Sequence, residues 1–212
     1  MPGGFVRTGS DRVVLRVDDV ERGLLASLTD QMIEFVRPSD QDPDQDPLAV
    51  IVGIDDDAEI SADPALARLF PDAYLDDVEA AGDFRRFTER GLMAAKMANA
   101  MAVKEALGHS GAKVTMSIEQ AGAWLGFLND ARLAIGSRLD ITEDNHDELA
   151  ELPDDDPRSA MFHVYDWLTY LQDSLVQVLM SRYTCGWIFS ANARHSAGTR
   201  RCHGHACPGR SS

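Results

Sequence analysis

Apolar residues recur every three or four positions through the middle of the chain and predict a central helix over residues 117–141. The stripe consists of Ile118, Ala121, Leu125, Leu128, Ile135 and Leu139. Ser117 and Gln120 have the spacing of a capping box, which places the start of the helix there. Trp124 and Leu133 widen its apolar face.

The same periodicity predicts further helices over residues 18–36, 76–107 and 159–180, with a short helix over 63–70. Two β-prone runs, residues 5–7 and 13–17, flank a turn signal and predict a small hairpin. The expected fold is mainly α: a compact bundle of about four to five helices with a small N-terminal β-hairpin.

The segment 76–107 is rich in Ala and Met. Small residues allow helices to approach closely and Met fills irregular gaps, so core packing is the favoured interpretation, with an adaptable partner groove as the alternative. Lys96 and Lys104 interrupt the stripe and are expected to extend outward to solvent.

The loops and the C-terminal end differ from the helices in composition. Residues 38–47 and 142–157 are acidic and proline-containing, and we expect flexible loops there. Residues 1–182 should form a single helical domain. Residues 183–212 contain Arg, His, Gly, Ser and Cys but no acid, which is typical of a disordered basic tail.

Charge is distributed unevenly along the chain. Residues 1–180 hold all 35 acids and 15 of the 20 Lys and Arg, a net charge of −20, whereas residues 181–212 carry +5. Because nucleic-acid affinity depends on basic side chains, direct DNA binding by the acidic body is disfavoured. A basic protein partner suits it better. No apolar run is long enough for a signal peptide or a membrane span, so we expect a cytoplasmic protein.

Asn129, Asp130 and Arg132 form a polar interruption in the central helix. Asp130 and Arg132 could act as a catalytic pair. The favoured interpretation is a buried ion pair between them, hydrogen-bonded with Asn129, that fixes helix register. No nucleophile elbow, phosphate loop or spaced metal motif is present, so we expect no enzyme, catalytic residue or cofactor.

Three groups of polar residues raise the question of metal or redox chemistry. The acidic loops lack the calcium-loop spacing, and His146 among carboxylates is better explained as an exposed loop residue. Between Cys202 and Cys207, four potential zinc ligands fall within six residues, which is an awkward geometry for tetrahedral coordination. We therefore predict no metal site and retain Cys202 and Cys207 as a possible redox pair.

Three blocks of sequence carry a family resemblance: residues 63–74, residues 123–125 with 128–136, and residues 165–172. Together they resemble an actinobacterial family of small acidic proteins, a domain of unknown function that includes an actinomycete oxidative-stress regulator. The resemblance covers about residues 3–182. Its structural signature here is Trp124, Asn129, Asp130, Arg132, Tyr165 and Trp167.

The resemblance implies a transcriptional role in the response to oxidants, exercised with RNA polymerase and its sigma factors. It also implies that the gene for this protein lies near the genes for the Clp protease adaptor and for cysteine biosynthesis, as is often the case in the family. In the regulator, sensing is ascribed to two cysteines separated by three residues. This chain departs from that pattern, because it has no cysteine before Cys185 and four residues separate Cys202 from Cys207.

Two functions remain open at this point. The first is an oxidative-stress-linked transcriptional regulator acting through protein partners. The alternative is a non-enzymatic helical adaptor or interaction module, which the gene neighbourhood connects to Clp proteolysis.

Overall fold

The computed structural model describes residues 3–37, 63–74, 76–109 and 111–193, with side chains described through residue 181. Its elements in chain order are β1 (Phe5–Thr8), β2 (Arg12–Arg16), α1 (Asp19–Phe35), α2 (Pro64–Leu69), α3 (Val78–Leu107), β3 (Lys113–Ser117), α4 (Ile118–Arg138), α5 (His146–Ala150) and α6 (Pro157–Ala193). The predicted mainly α architecture is confirmed. Residues Met1–Val178 form one compact unit and Leu179–Ser212 a second.

The sheet has three antiparallel strands in the order β1-β2-β3, so the predicted hairpin is joined by a third strand. β2 lies in the middle, with Leu15 opposite Phe5 on one side and Val114 on the other. Residues 113–116 lie directly before the central helix. Their alternation of exposed and buried positions, with Val114 and Met116 inward, is the period of a strand that covers the helical core.

α4 is the centre of the helical core and begins with the predicted capping box. The backbone N–H of Gln120 donates to Ser117 Oγ at 3.2 Å, and that of Ser117 donates to Gln120 Oε1 at 2.8 Å. Trp124, Phe127 and Leu128 are at most 1% exposed. The helix contacts α1, α2 and α3, so much of its circumference is covered.

The side chain of Arg22 joins α1 to the end of α3. Arg22 Nη1 donates to the carbonyl oxygens of Leu107 at 2.8 Å and His109 at 3.1 Å, and Nη2 donates to that of Gly111. The Leu107 carbonyl belongs to the last turn of α3 and the other two carbonyls follow it, where a helix has unpaired acceptors and a partial negative charge. Arg22 therefore caps α3 from a different helix.

The Ala- and Met-rich segment does not pack wholly in the core. Ala100 and Val103 of α3 are buried, whereas Ala94, Ala98 and Met101 on its other side are exposed. The expectation of core packing is thus right for one face of α3 and wrong for the other.

The acidic segment 142–157 is not a continuous loop, because α5 lies within it. Leu149 of α5 is 5% exposed and packs with Leu139 and Phe162. Burial of this one apolar residue among acids anchors the short helix. His146 is half-buried, with its ring edge-on to Phe162 at a centroid distance of 5.2 Å, so it is more enclosed than the expected loop histidine.

α6 continues to Ala193, beyond the residue 180 at which the sequence pattern placed its end. The helical backbone therefore enters the segment expected to be a disordered tail. The Cys202–Cys207 pair and the loop 38–47 lie outside the described residues. None of the helices in the described ranges combines the length and apolar character required to cross a membrane.

Candidate functional site

The signature residues lie on two helices of the core. Trp124, Asn129, Asp130 and Arg132 belong to α4, while Tyr165 and Trp167 belong to α6. Asp130 and Arg132 each contact a residue of another helix, and these two contacts form the charged centre of the candidate site.

Asp130 forms a buried ion pair with Lys96 of α3. The distance from Lys96 Nζ to Asp130 Oδ1 is 2.7 Å, and the two side chains are 17% and 6% exposed. The same ammonium lies 5.8 Å from the ring centroid of Phe70, the C-cap residue of α2. A charged group away from water requires a partner, so Lys96 and Asp130 hold α3 and α4 together. The contact with Phe70 brings the end of α2 to the same place.

Two sequence predictions are wrong here. Lys96 does not extend to solvent, and Asp130 pairs with Lys96 rather than with Arg132. Residues two positions apart on a helix do not face each other, so Asp130 and Arg132 reach different neighbours. The signal for Lys96 was its spacing of four and seven residues from the buried Ala100 and Val103, which places it on the core-facing side of α3.

Arg132 connects α4 to α6. Its Nη1 donates to Gln172 Oε1 at 3.0 Å, and its Cζ lies 5.7 Å from the ring centroid of Tyr165. Tyr165 also packs against Gly136, where a Cβ atom would come within 3.2 Å of Tyr165 Cε2. A guanidinium that hydrogen-bonds at its edge and stacks on its face holds both partners in a defined orientation.

The remaining signature residues are packed into the same core. Trp124 is 1% exposed and meets Phe5 of β1 edge-on, with ring centroids 5.7 Å apart. Trp167 has its indole Nε1 buried without a hydrogen-bond acceptor among the described residues. Asn129 is half-buried and, within the described part of the chain, takes no part in the ion pair of Asp130 or the hydrogen bond of Arg132, so the predicted three-residue network is absent there.

A groove of about 530 Å³ lies between α1, α2 and α4. Its floor is apolar, and its polar lining consists of Gln31, Glu34, Asp63 and Arg138. Asp63 accepts the N–H of Ala65 as the cap of α2, and Arg138 Cζ lies 5.2 Å from the ring centroid of Phe35. Among the described residues, the lining contains no Ser, Thr, Cys or Lys.

Within the described ranges, no three His, Cys, Asp or Glu side chains come together in a way that could hold a metal ion. Two pKa values are shifted at the surface where α6 begins, those of Asp156 and Arg158. The Arg158 side chain hydrogen-bonds to Asp156, which lowers the pKa of that carboxyl and raises the pKa of the guanidinium. Asp156 Oδ1 also accepts the N–H of Arg158 at 2.8 Å, in the manner of a helix cap.

The profile of the family described as domain of unknown function DUF2017 matches residues 2–179. The chain is 34% identical over 174 residues to the "Oxidative stress regulator AosR" of Mycobacterium tuberculosis and to that of Mycobacterium bovis, covering 76% of this chain and 78% of the relative. It is 30% identical over 203 residues to the "Putative oxidative stress regulator AosR" of Mycobacterium leprae, covering 85% and 91%. No solved structure matches.

Proposed function

We propose, from the premise that this chain belongs to the DUF2017 family, that it is an oxidative-stress regulatory protein acting on cytoplasmic transcription through RNA polymerase or a sigma factor. The observation that carries the proposal is the similarity to the mycobacterial regulators, which extends over about three quarters of both chains. A similarity over that length is stronger support for a shared role than a similarity confined to one motif.

The distribution of charge supports a protein partner rather than DNA. Between Arg138 and Arg158 the chain contains no Lys or Arg. The exposed acids in this interval include Glu143, Asp144, Asp147, Glu148, Glu151, Asp154 and Asp155. This surface, which we call the acidic α5 region, repels phosphates and attracts a basic protein surface.

The geometry of the signature residues supports a non-enzymatic role. Asp130 is enclosed and paired with Lys96, and Arg132 is paired with Gln172 and Tyr165. Each charge has a structural partner on another helix. They are therefore occupied in joining helices, which suits a scaffold that presents surfaces to other proteins.

The proposal is tested by complementation. A mycobacterial strain lacking its own oxidative stress regulator is supplied with this chain, and transcripts are quantified with and without peroxide. We expect this chain to restore the peroxide-dependent transcript profile. A strain that remains like the deletion mutant despite normal levels of this protein would contradict the proposal.

Affinity capture from the same cells tests the partner. RNA polymerase or a sigma factor should be enriched with the wild-type chain and lost when Glu143, Asp144, Glu151 and Asp154 are neutralised to Gln or Asn. The matched control neutralises Asp11, Asp76, Glu105 and Asp166, exposed acids elsewhere in the described residues, and should retain capture. Enrichment of Clp components instead would favour the adaptor function, and nanomolar promoter binding by the isolated chain at physiological salt would refute partner mediation.

Oxidant dependence would involve the C-terminal cysteines. Two thiols, Cys202 and Cys207, would lose two electrons and two protons to hydrogen peroxide, forming one disulfide and two waters. We expect peroxide to change the capture of RNA polymerase or the sigma factor by the wild-type chain. Peroxide should not change capture by the double variant Cys202→Ser, Cys207→Ser. An unaltered peroxide response in the double variant would remove these cysteines from the mechanism.

A further inference from the structure

The outer face of the sheet is basic, although the protein has a net charge of −15. Arg12, Arg16 and Lys113 are exposed on this face, and within the described residues their side chains have no ion-pair or hydrogen-bond partner. The three strands contain no Asp or Glu. By contrast, Lys104 on α3 is paired with Asp30 at 2.6 Å. The cations of the sheet are therefore available to an acidic group from outside the described chain.

The register of the strands places these cations in two rows. Arg16 lies opposite Lys113 at one end of the outer face, and Arg12 lies opposite Ser117 at the other end. Side chains of directly opposite residues share a face of the sheet. The line between the two rows consists of β-branched residues, Val6, Val14 and Thr115. The face thus has an uncharged middle with positive charge at both ends.

β3 lies at an edge of the sheet and has main-chain groups that point away from β2. The N–H of Val17 donates to the carbonyl oxygen of Ala112 at 3.3 Å, so these two residues form a hydrogen-bonded pair of the ladder. Hydrogen-bonded and non-hydrogen-bonded pairs alternate along antiparallel strands. Lys113 and Thr115 therefore direct their N–H and C=O groups to the free edge, where no described residue bonds to them. Such an edge is a template for a further strand.

We propose that the edge of β3 and the basic outer face together bind an extended acidic segment of a partner protein, which adds a fourth strand beside β3. The segment's residue opposite Thr115 lies on the outer face, because paired residues share a face. The residues two positions before and after it lie beside Ser117 and Lys113. Acidic side chains at those two positions, four residues apart, meet the two rows of cations.

The inference is independent of the proposed regulatory function, because it concerns the sheet and not the acidic α5 region. The sheet takes a partner of opposite charge to the one that suits the acidic α5 region. Loss of binding at one of these surfaces would leave binding at the other unchanged.

The same observations favour a peptide over a nucleic acid. A phosphate backbone pairs with cations but cannot continue a β-ladder along Lys113 and Thr115. The outer face of the described strands carries no aromatic ring on which bases could stack. The acidic body also repels a long polyanion. A short acidic segment avoids most of that repulsion.

The position of the chain's own acidic run favours a separate partner protein. Residues 40–46, outside the described ranges, have Asp at every second position. The chain enters this run after Phe35, which lies beside Arg138 at the end of α4. β3 directly precedes the other end of α4, whose 21 residues span about 31 Å. The first two aspartates of the run can lie at most about 18 Å from Arg37, which is too short to align the whole run with β3 of the same chain.

Amide NMR of the isotope-labelled full chain, titrated with the peptide acetyl-Glu-Thr-Val-Thr-Glu-amide, tests the proposal. We expect saturable shifts of the Lys113 and Thr115 amides and protection of both from hydrogen exchange. The matched peptide with Gln in place of Glu should bind at least about 10-fold more weakly, because it lacks the carboxylates. No binding of the Glu peptide up to about 1 mM, or shifts confined to other surfaces, would overturn the proposal.

A charge reversal tests the basic face. Lys113→Glu should weaken peptide binding by about 10-fold or more, because attraction is replaced by repulsion. The matched control is Arg68→Glu, which makes the same change of charge at an exposed position on α2 and should leave the affinity unchanged. Circular dichroism should be the same for both variants and the wild-type chain. Equal weakening by both would show that net charge alone governs binding and would overturn the proposal.

Methylation of the peptide backbone tests strand addition. N-methylation of the central Val removes the N–H that faces Thr115, and it should abolish binding. N-methylation of the Thr before it alters an N–H that points away from β3, because successive main-chain groups of a strand point in opposite directions, and it should leave binding in place. Equal loss of binding with the two peptides would exclude pairing with the edge.

The same titration tests two other occupants. Changing Asp40, Asp42, Asp44 and Asp46 to Asn should raise peptide affinity no more than neutralising four acids of the acidic α5 region does. A larger gain would show that a segment of this protein itself occupies the edge. A single-stranded oligonucleotide that displaces the peptide at physiological salt would assign the face to nucleic acid. Either result would overturn the proposal.

Discussion

Lys96 Nζ lies 2.7 Å from Asp130 Oδ1, and this ion pair joins α3 to α4 in the interior of the protein. The position of Phe70 beside the ammonium extends the contact to the end of α2. A single polar contact thus determines how three elements meet. Because the pair is buried, removing one partner should strongly destabilise the protein.

We expect Asp130→Ala to lower the free energy of unfolding by about 3–5 kcal/mol, because Lys96 is left as an unpaired charge away from water. Lys96→Met should also destabilise the protein strongly, because it leaves the Asp130 carboxylate, which is 6% exposed, without its partner. Urea unfolding measures both. Lys96→Met combined with Asp130→Leu should recover most of the loss, and a double variant as unstable as the sum of the singles would show that the pair itself is not the cause.

Arg22→Met should destabilise the protein by about 1–3 kcal/mol, because the carbonyls that follow α3 lose charged hydrogen-bond donors. Hydrogen exchange should accelerate most in the last turn of α3. Arg37→Met is the control, since Arg37 pairs with the exposed Glu34 at 3.1 Å at the surface and the substitution should change stability by about 0.5 kcal/mol or less. Equal effects of the two substitutions would contradict the capping role.

Trp124→Ala should cost about 3–5 kcal/mol through the cavity it leaves in the core. The edge-on contact with Phe5 predicts that Trp124→Leu and Phe5→Leu are coupled by about 0.5–1.5 kcal/mol in a double-mutant cycle. Val6→Ala, on the exposed face of the same strand, should have little effect. Additive effects of the two aromatic substitutions would indicate that the ring contact contributes nothing beyond burial.

The start of α6 should respond to pH through Asp156. Its folded-state pKa lies below the ordinary value of 3.8, chiefly because of the side-chain hydrogen bond from Arg158. A lowered pKa means that the stabilisation is complete above 3.8 and is lost as the pH falls through the lower folded value. Carboxyl NMR titration should show the depressed pKa, and the Arg158 amide, which donates to Asp156 Oδ1, should lose protection from hydrogen exchange at low pH. Arg158→Gln should return the pKa towards its ordinary value, and an unshifted carboxyl in the wild-type chain would contradict the contact.

The sequence by itself determined α1 to α4, the approximate start of α6 and the overall class of the fold. The apolar periods specify α1, α3 and α4, and the capping residues Asp18, Asp63 and Ser117 mark where helices begin. These features depend on neighbours within a few positions, because a helix repeats every 3.6 residues and a cap bonds within its own first turn. The sequence also contained the resemblance to the family that the comparison confirmed.

Only the tertiary structure decided which residues meet across the fold. Lys96 and Asp130 are 34 positions apart, and Arg132 and Gln172 are 40 apart, so no local pattern could pair them. The third strand depended on β2 being available as a neighbour, and α5 depended on a buried position for Leu149. The exposure of one side of α3 was decided in the same way, because apolar residues line more than one side of this helix and packing determines which side is covered.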